Sequence, residues 1–341
     1  MPAEWERHEA TWIGWPHNLS DWPGKFAPIP WVFAEIVRRV CDGEIARILV
    51  ESKEQESKAR NVLFRAGVDT SAAEFFRIST DRGWTRDSGP VFIRSVRGNE
   101  TVIARFRFNA WAKYRNWRKD VQVPPRAAKT LGKTLIDVNH LNRPVVLEGG
   151  SIDVNGHGTL LATEECLMDP KVQVRNPGFT KKDYEEVFRK FLGASNVLWL
   201  GKGIAGDDTH GHVDDLCRFV TGRTIVLCSE KNSRDPNYRT LEENRERLQG
   251  MRLEDGSKPQ VAEIPMPEPV VFDGQRLPAS YANFYIANTV VIVPTFNDPH
   301  DRIALGILSE LITDRRVVGI HAGDLVWGLG TLHCLTQQQP L

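Results

Sequence analysis

A chain of 341 residues with 44 Lys+Arg against 44 Asp+Glu carries no formal net charge, which argues against a nucleic-acid polyanion as its main partner. Its five cysteines are odd in number and contain no Cys-x-x-Cys pair, so neither a disulfide framework nor a structural zinc site is expected. No apolar run approaches membrane-spanning length and the acidic opening residues do not read as a secretory signal, so a soluble cytoplasmic protein with no membrane partner is expected.

No low-complexity linker divides the chain, and residues 1–341 read as one domain with a large core. The first elements are a strand over 10–15, a helix over 31–40 and a strand over 46–50. From residue 89 onward a unit of strand, tight turn, strand, helix and strand recurs. Its first copy takes a hairpin at 89–108, turning at Arg97-Gly98-Asn99, then a helix at 125–131 and a strand at 134–138. The second takes 150–166, turning at 155–158, then 181–192 and 196–200. The third takes 212–228, turning at 221–223, then 241–248 and 261–264. The fourth takes 283–294, turning at 287–289, then a helix at 301–311 whose apolar face is Ile303, Leu305, Ile307, Leu308 and Leu311, and a strand at 316–320.

A fifth unit can be assembled from both ends, a strand at Cys334 pairing with 10–15. Closing a ring in this way leaves no open sheet edge. An open doubly wound sheet is the rival architecture, but hairpins between the helices fit it poorly. No Gly-x-Gly-x-x-Gly run or phosphate loop supports a nucleotide site.

Three polar clusters sit in apolar surroundings: Trp84-Thr85-Arg86-Asp87-Ser88-Gly89-Pro90, Glu148-Gly149-Gly150-Ser151, and Asp207-Asp208-Thr209-His210-Gly211-His212-Val213-Asp214-Asp215. Their spacing keeps time with the unit: 61 residues from Asp87 to Glu148, 64 on to His212, and 122 from there to Cys334. A thiol acts as a nucleophile only as thiolate, so Cys334 needs a cationic neighbour, and His212 is the one this periodicity brings closest. Plain core packing is the alternative for this thiol, and Cys41, Cys166, Cys217 and Cys228 read as inert core thiols.

His212 and Asp214 alternate along an apparent strand, as do His210 and His212, so either pair shares a face. His-x-His also opens metal-dependent amidohydrolase sites, a reading left open beside a hydrogen-bonded core histidine. Asp87 could serve a bridge to Arg86, and Glu148 could be a surface carboxylate. Several buried carboxylates converging on one hole would trap a planar cation rich in N–H donors, and a guanidinium fits.

The motifs in order resemble the agmatine deiminase family, in the guanidine-modifying superfamily with a five-bladed α/β propeller fold. The match runs end to end: Met1-Pro2-Ala3-Glu4-Trp5, Thr11-Trp12-Ile13-Gly14-Trp15-Pro16, Trp84-x-Arg86-Asp87-x-Gly89-Pro90, Phe108-Asn109-Ala110-Trp111, Glu148-Gly149-Gly150-Ser151, Thr209-His210-Gly211-His212-Val213-Asp214, 282–288, and Leu332-His333-Cys334-Leu335-Thr336-Gln337-Gln338. The resemblance implies that Cys334 attacks a guanidinium carbon, His212 shuttles protons, Asp87 and Asp214 grip guanidinium nitrogens and Glu148 orients His212. It implies hydrolysis of agmatine to N-carbamoylputrescine and ammonia, in putrescine and polyamine synthesis, with no metal and no organic cofactor.

Family members that act on peptidyl-arginine carry Arg-Pro-Arg just after the equivalent of Asn109; here the residues are Ala110-Trp111-Ala112. Free arginine or peptidyl-arginine stands as the alternative substrate. Asp208 matches the acidic position near the substrate's distal end, and Trp84 and Trp111 could wall the methylene chain. Two departures are Gly328-Leu329-Gly330-Thr331, where many members have Gly-Gly-Gly-Asn, and Ala112-Lys113, where many have glycine. A non-enzymatic binding platform would have no need of this residue set, and association of identical copies is left open.

Overall fold

The computed structural model describes residues 1–95 and 100–341, a mixed α/β fold with five sheets of three or four strands and two short two-stranded ones among the described residues. In the first, β1 (His8–Gly14) runs parallel to β2 (Ile45–Val50) through α1 (Ile29–Cys41), and α2 (Lys53–Arg65) leads to a further parallel strand, β3 (Ala73–Arg77). The second joins β4 (Val91–Arg94) antiparallel to β5 (Thr101–Arg105), then α4 (Val123–Leu131) and a parallel β6 (Leu135–Asp137). Between the first two sheets lies a single turn, α3 (Thr85–Ser88).

The third sheet follows the same plan with β7 (Ile152–Val154), β8 (Thr159–Thr163), α5 (Glu164–Met168), α6 (Lys181–Val187) and β9 (Asn196–Leu200). The fourth uses β10 (Cys217–Phe219), β11 (Thr224–Ser229), α7 (Pro236–Gly250) and β12 (Gln260–Pro265). The fifth uses β13 (Tyr285–Ile286), β14 (Val290–Thr295), α8 (His300–Leu311) and β15 (Arg316–His321). A one-turn α9 (Leu332–Leu335) then feeds β16 (Thr336–Pro340), which returns antiparallel to β1 with Ile13 opposite Thr336 and Trp12 opposite Gln337.

Local chemistry explains why these elements start and stop. Thr180 caps α6 reciprocally with Asp183, and the same helix runs on through a π-helical turn, Phe188–Leu192, to Gly193 in the left-handed region, φ 73°. In the third hairpin the Asn155 side-chain oxygen accepts the N–H groups of His157, Gly158 and Thr159 at 2.9, 3.1 and 2.9 Å, fixing the expected turn. The turn expected at Arg97-Gly98-Asn99 lies outside the described residues.

Two expectations were incomplete. The first sheet has a helix and strand that were not expected from the sequence, α2 and β3; α2 buries only Ala59 and Leu63 and so shows no continuous apolar stripe. Its start was nonetheless written in Ser52, whose side chain accepts the Gln55 N–H at 3.2 Å. Cys334, expected on a strand, lies instead on α9, and the stretch from His212 to Asp214 enters a 3-10 turn, Val213–Asp215, before β10 begins.

That second correction repeats round the molecule. The first strands of the second, third and fourth sheets, and β16, are each preceded by one helical turn: α3, the 3-10 turn Gly149–Ser151, the turn Val213–Asp215 and α9. Each turn carries or adjoins a polar residue of the clusters noted above. Apolar packing takes in the apolar residues of these turns as well, as in the cluster that joins Ile13, Ile48, Phe33 and Ile292 to Leu332 and Leu335 of α9. No helix among the described residues is long and apolar enough to cross a membrane.

Candidate active site

The helical turns bring Asp87, Glu148, His212, Asp214 and Cys334 into one buried cluster. Asp87 is fixed on α3, whose Thr85 Oγ1 accepts the Gly14 N–H at 2.6 Å and so anchors the turn to β1. Its Oδ1 accepts the Gly150 N–H at 3.0 Å and its Oδ2 accepts the Trp111 indole N–H at 2.9 Å. A Cβ on Gly150 would lie 2.6 Å from His212 Nδ1 and 2.9 Å from both Asp87 Oδ1 and Asp214 Oδ2, so only glycine lets the three groups meet.

The His212 imidazole is fully enclosed and neither nitrogen makes a hydrogen bond within the described protein. Nδ1 lies 3.8 Å from Asp87 Oδ1 and 3.9 Å from Asp214 Oδ1, while Nε2 lies 3.8 Å from Glu148 Oε2. Burial works against protonation, but Asp87, the Cys166 sulfur and Glu148 outweigh it and hold His212 well above the usual histidine range. Its backbone N–H is held at 3.0 Å by Asp207 Oδ2, which also accepts from Gly211 at 2.6 Å. His210 does not share this face: at φ 65° its ring turns away and meets Asp169 at 3.0 Å. His-x-His therefore forms no convergent ligand pair, which removes the feature that suggested an amidohydrolase.

Cys334 Sγ lies 3.8 Å from Asp214 Oδ2 and accepts the Asn283 amide N–H at 3.1 Å. Burial and then the charges of Asp214, Asp215 and Asp87 push its thiol well above the ordinary range. Asp214 is drawn down, against its burial, by His333, whose Nδ1 stands 2.6 Å from Oδ2. Asp87 is pushed up to about 6 by burial and by Asp214 and Glu148, with His212 opposing. For Glu148 burial alone would raise the carboxyl, but Arg175 and His212 reverse this and hold it at about 2.

Several site neighbours had no role assigned from the sequence. Arg175 Nε bonds Glu148 at 3.2 Å, and it sits in an aperiodic segment that offered no signal. Asn283 lies two residues before the first strand of the fifth sheet, off the spacing of the polar clusters, and so gave no signal. Glu4 accepts from Arg86, Arg218 and the Ile286 N–H at 3.0, 2.9 and 2.9 Å and meets His333 Nε2 at 2.8 Å, joining the residues beneath the thiol. Cys166, read as inert packing, places its sulfur within 4.8 Å of a His212 nitrogen and a Glu148 oxygen.

A cavity of about 200 Å³ opens above the thiol, lined by Trp84, Asp87, Trp111, Tyr114, Asp208 and Cys334 among others. Gly330 gives the thiol and the Trp84 ring room, since a Cβ there would stand 3.1 Å from Sγ and 3.0 Å from the indole. Asp208 lies at the rim, where it pairs with Lys113 and accepts the Tyr114 hydroxyl at 2.7 Å.

The chain is similar throughout to proteins of known type. It shares 34% identity with the agmatine deiminase of Stutzerimonas stutzeri (strain A1501) and 32% with that of Ectopseudomonas mendocina (strain ymp), in each case over 100% of this chain and 95% of the relative. The solved agmatine deiminase of Enterococcus faecalis superposes with a TM-score of 0.90 at 29% identity, covering 100% of this chain and 95% of that one. The Porphyromonas-type peptidyl-arginine deiminase model matches residues 1–340, and with relatives this similar along the whole length, the chain belongs to that family.

Proposed function

We propose that this protein hydrolyses agmatine to N-carbamoylputrescine and ammonia through a covalent intermediate on Cys334, a step that feeds putrescine and polyamine synthesis. The observation that carries the reading is one buried thiol set among Asp87, Asp214 and His212 at the base of a cavity walled by Trp84 and Trp111. The agmatine deiminase activity for which relatives at 32–34% identity are named supports the choice of substrate. The five sheets are blades of a five-bladed α/β propeller, one domain over residues 1–341, acting in the cytoplasm on a small cationic guanidine.

The chemistry follows from charge. Three carboxylates around the thiol oppose its ionisation in the free protein, and a guanidinium held by Asp87 and Asp214 reverses that field. As the cation binds, the thiol releases its proton to solvent, and the thiolate attacks the guanidinium carbon to give a neutral tetrahedral adduct. His212, cationic beside Asp87 and Asp214, gives its proton to the leaving nitrogen, and ammonia departs as the carbon becomes an S-alkylthiouronium cation. Neutral His212 next takes a proton from water and hydroxide adds to the same carbon; collapse expels the sulfur, which takes up the proton of the new hydroxyl to restore the thiol, and leaves the neutral ureido product. Glu148, fixed by Arg175, keeps Nδ1 turned toward the reacting carbon by facing Nε2.

The site side chains supply the charge and the proton transfers, so the reading needs neither a metal nor an organic cofactor. Free arginine and C-terminal arginyl peptides are the competing substrates. The test is ammonia release from agmatine, arginine, a C-terminal arginyl peptide and carbamoylputrescine. Agmatine should be consumed with the highest kcat/KM, and preference for either arginine compound would overturn the substrate assignment.

A further inference from the structure

Asp21, Arg82 and Asp208 line the cavity, and Lys113 reaches Asp208 from outside that lining, so each acid already has a base. Arg82 pairs with Asp21 and lies 4.3 Å from the Tyr114 ring, while Lys113 pairs with Asp208. The pairs differ in mobility. The Asp21 side chain is 1% exposed under a guanidinium 12% exposed, whereas Lys113 is 41% exposed over an acid 15% exposed. Lys113 can therefore leave Asp208 by rotating into water, without uncovering any buried charge.

The backbone delivers Lys113 to this position by an unusual route. Ala110, Trp111 and Ala112 have φ of 51°, 58° and 53°, three consecutive left-handed residues without a glycine. The chain coils so that the N–H groups of Lys113 and Tyr114 bond Ala110 O at 3.0 and 3.2 Å, and both side chains fall on Asp208. The Gln173 amide donates to Trp111 O and Asp208 O at 3.1 and 3.0 Å, clamping the two loops together. Both carboxylate oxygens of Asp208 are thus occupied by the protein's own groups, one by the Lys113 ammonium and one by the Tyr114 hydroxyl.

Resting on the agmatine reading, we propose that Lys113 is a specificity-determining residue: a tethered ammonium that occupies Asp208 and competes with the substrate's distal ammonium for it. A substrate with a distal cation must displace Lys113, one with a neutral end leaves the pair in place, and one with a distal carboxylate can use the lysine instead.

The test compares wild type, Lys113→Met and Lys113→Arg on agmatine, butylguanidine and 4-guanidinobutyrate. Lys113→Met should lower KM for agmatine about two- to fivefold, the range set by an exposed ion pair, with kcat unchanged. The same variant should leave butylguanidine unaffected and raise KM for 4-guanidinobutyrate, while Lys113→Arg keeps the wild-type order. An agmatine KM that stays level or rises in Lys113→Met, or equal shifts for all three guanidines, would overturn the role of Lys113 and leave agmatine hydrolysis intact. Failure of wild type to hydrolyse agmatine, with arginine consumed instead, would overturn both.

Discussion

At the scale of single residues, the cluster is a balance between one thiol, one imidazole and carboxylates that each need a different partner. The polar runs in the sequence pointed to the five central groups, because polar side chains inside apolar stretches demand compensation. What holds them could not be read there: Arg175, Glu4 and Asn283 act across sheets, and only the fold tells which carboxylate meets which donor. If the thiol is held protonated by its surroundings, alkylation of Cys334 should be slow at pH 7 and rise only in strongly alkaline solution. Cys334→Ala and Cys334→Ser should both lose turnover, at least about a thousandfold, with unchanged melting curves. Rapid alkylation of the free protein at neutral pH would contradict the mechanism. Asp87 must be ionised to accept guanidinium N–H bonds, and its carboxyl lies at about 6, so kcat/KM should fall as the pH drops through that value. Because the folded state raises this pKa, ionising Asp87 works against folding above pH 6. Asp87→Asn should therefore lose activity on every guanidine while melting at a higher temperature at pH 7. Gly150→Ala forces a methyl against His212, Asp87 and Asp214, and should cost about 1–3 kcal/mol in unfolding free energy together with most activity.

At the scale of elements, hairpins and crossover helices were legible because turn chemistry and apolar periodicity agree in them. The expected helices at 31–40 and 301–311 differ from α1 and α8 by no more than two residues at either end. The single turns that carry the site were not legible, since alternation over three residues reads as strand, whereas a 3-10 turn gathers consecutive polar side chains around its start. The pairing of β1 with β16 joins the first sheet to the thiol's own turn. Removal of residues 1–16 should consequently abolish activity and lower the melting temperature sharply, since it deletes a buried strand and Glu4 together. Unchanged melting would show that the strand is not a structural partner of β16.

Across the whole molecule, the recurring unit is legible in five larger sheets among the described residues, to which α2, β3 and two short two-stranded sheets at 139–144 and 271–276 are added. Glu4 shows how the sheets depend on one another, because its carboxylate touches Arg86 ahead of the second, Arg218 in the fourth, Ile286 in the fifth and His333 beside the thiol. Burial would raise its pKa, but Arg218, His333 and Arg86 hold it well below 4.5, so its stabilisation is present above that pH and lost on acidification. Glu4→Gln leaves buried cations uncompensated and should cost about 3–5 kcal/mol, measured by denaturant unfolding at pH 7. The antiparallel return of β16 onto β1 also has a bearing on the order of assembly. Four of the sheets close through partners near in sequence, whereas His8 must wait for Pro340. The sulfur proposed to react is separated from that last strand by one residue, Leu335, so a chain still maturing should carry formed sheets and an unassembled site. Competence would then arrive in one late step, and regain of activity during refolding should lag behind the recovery of secondary structure.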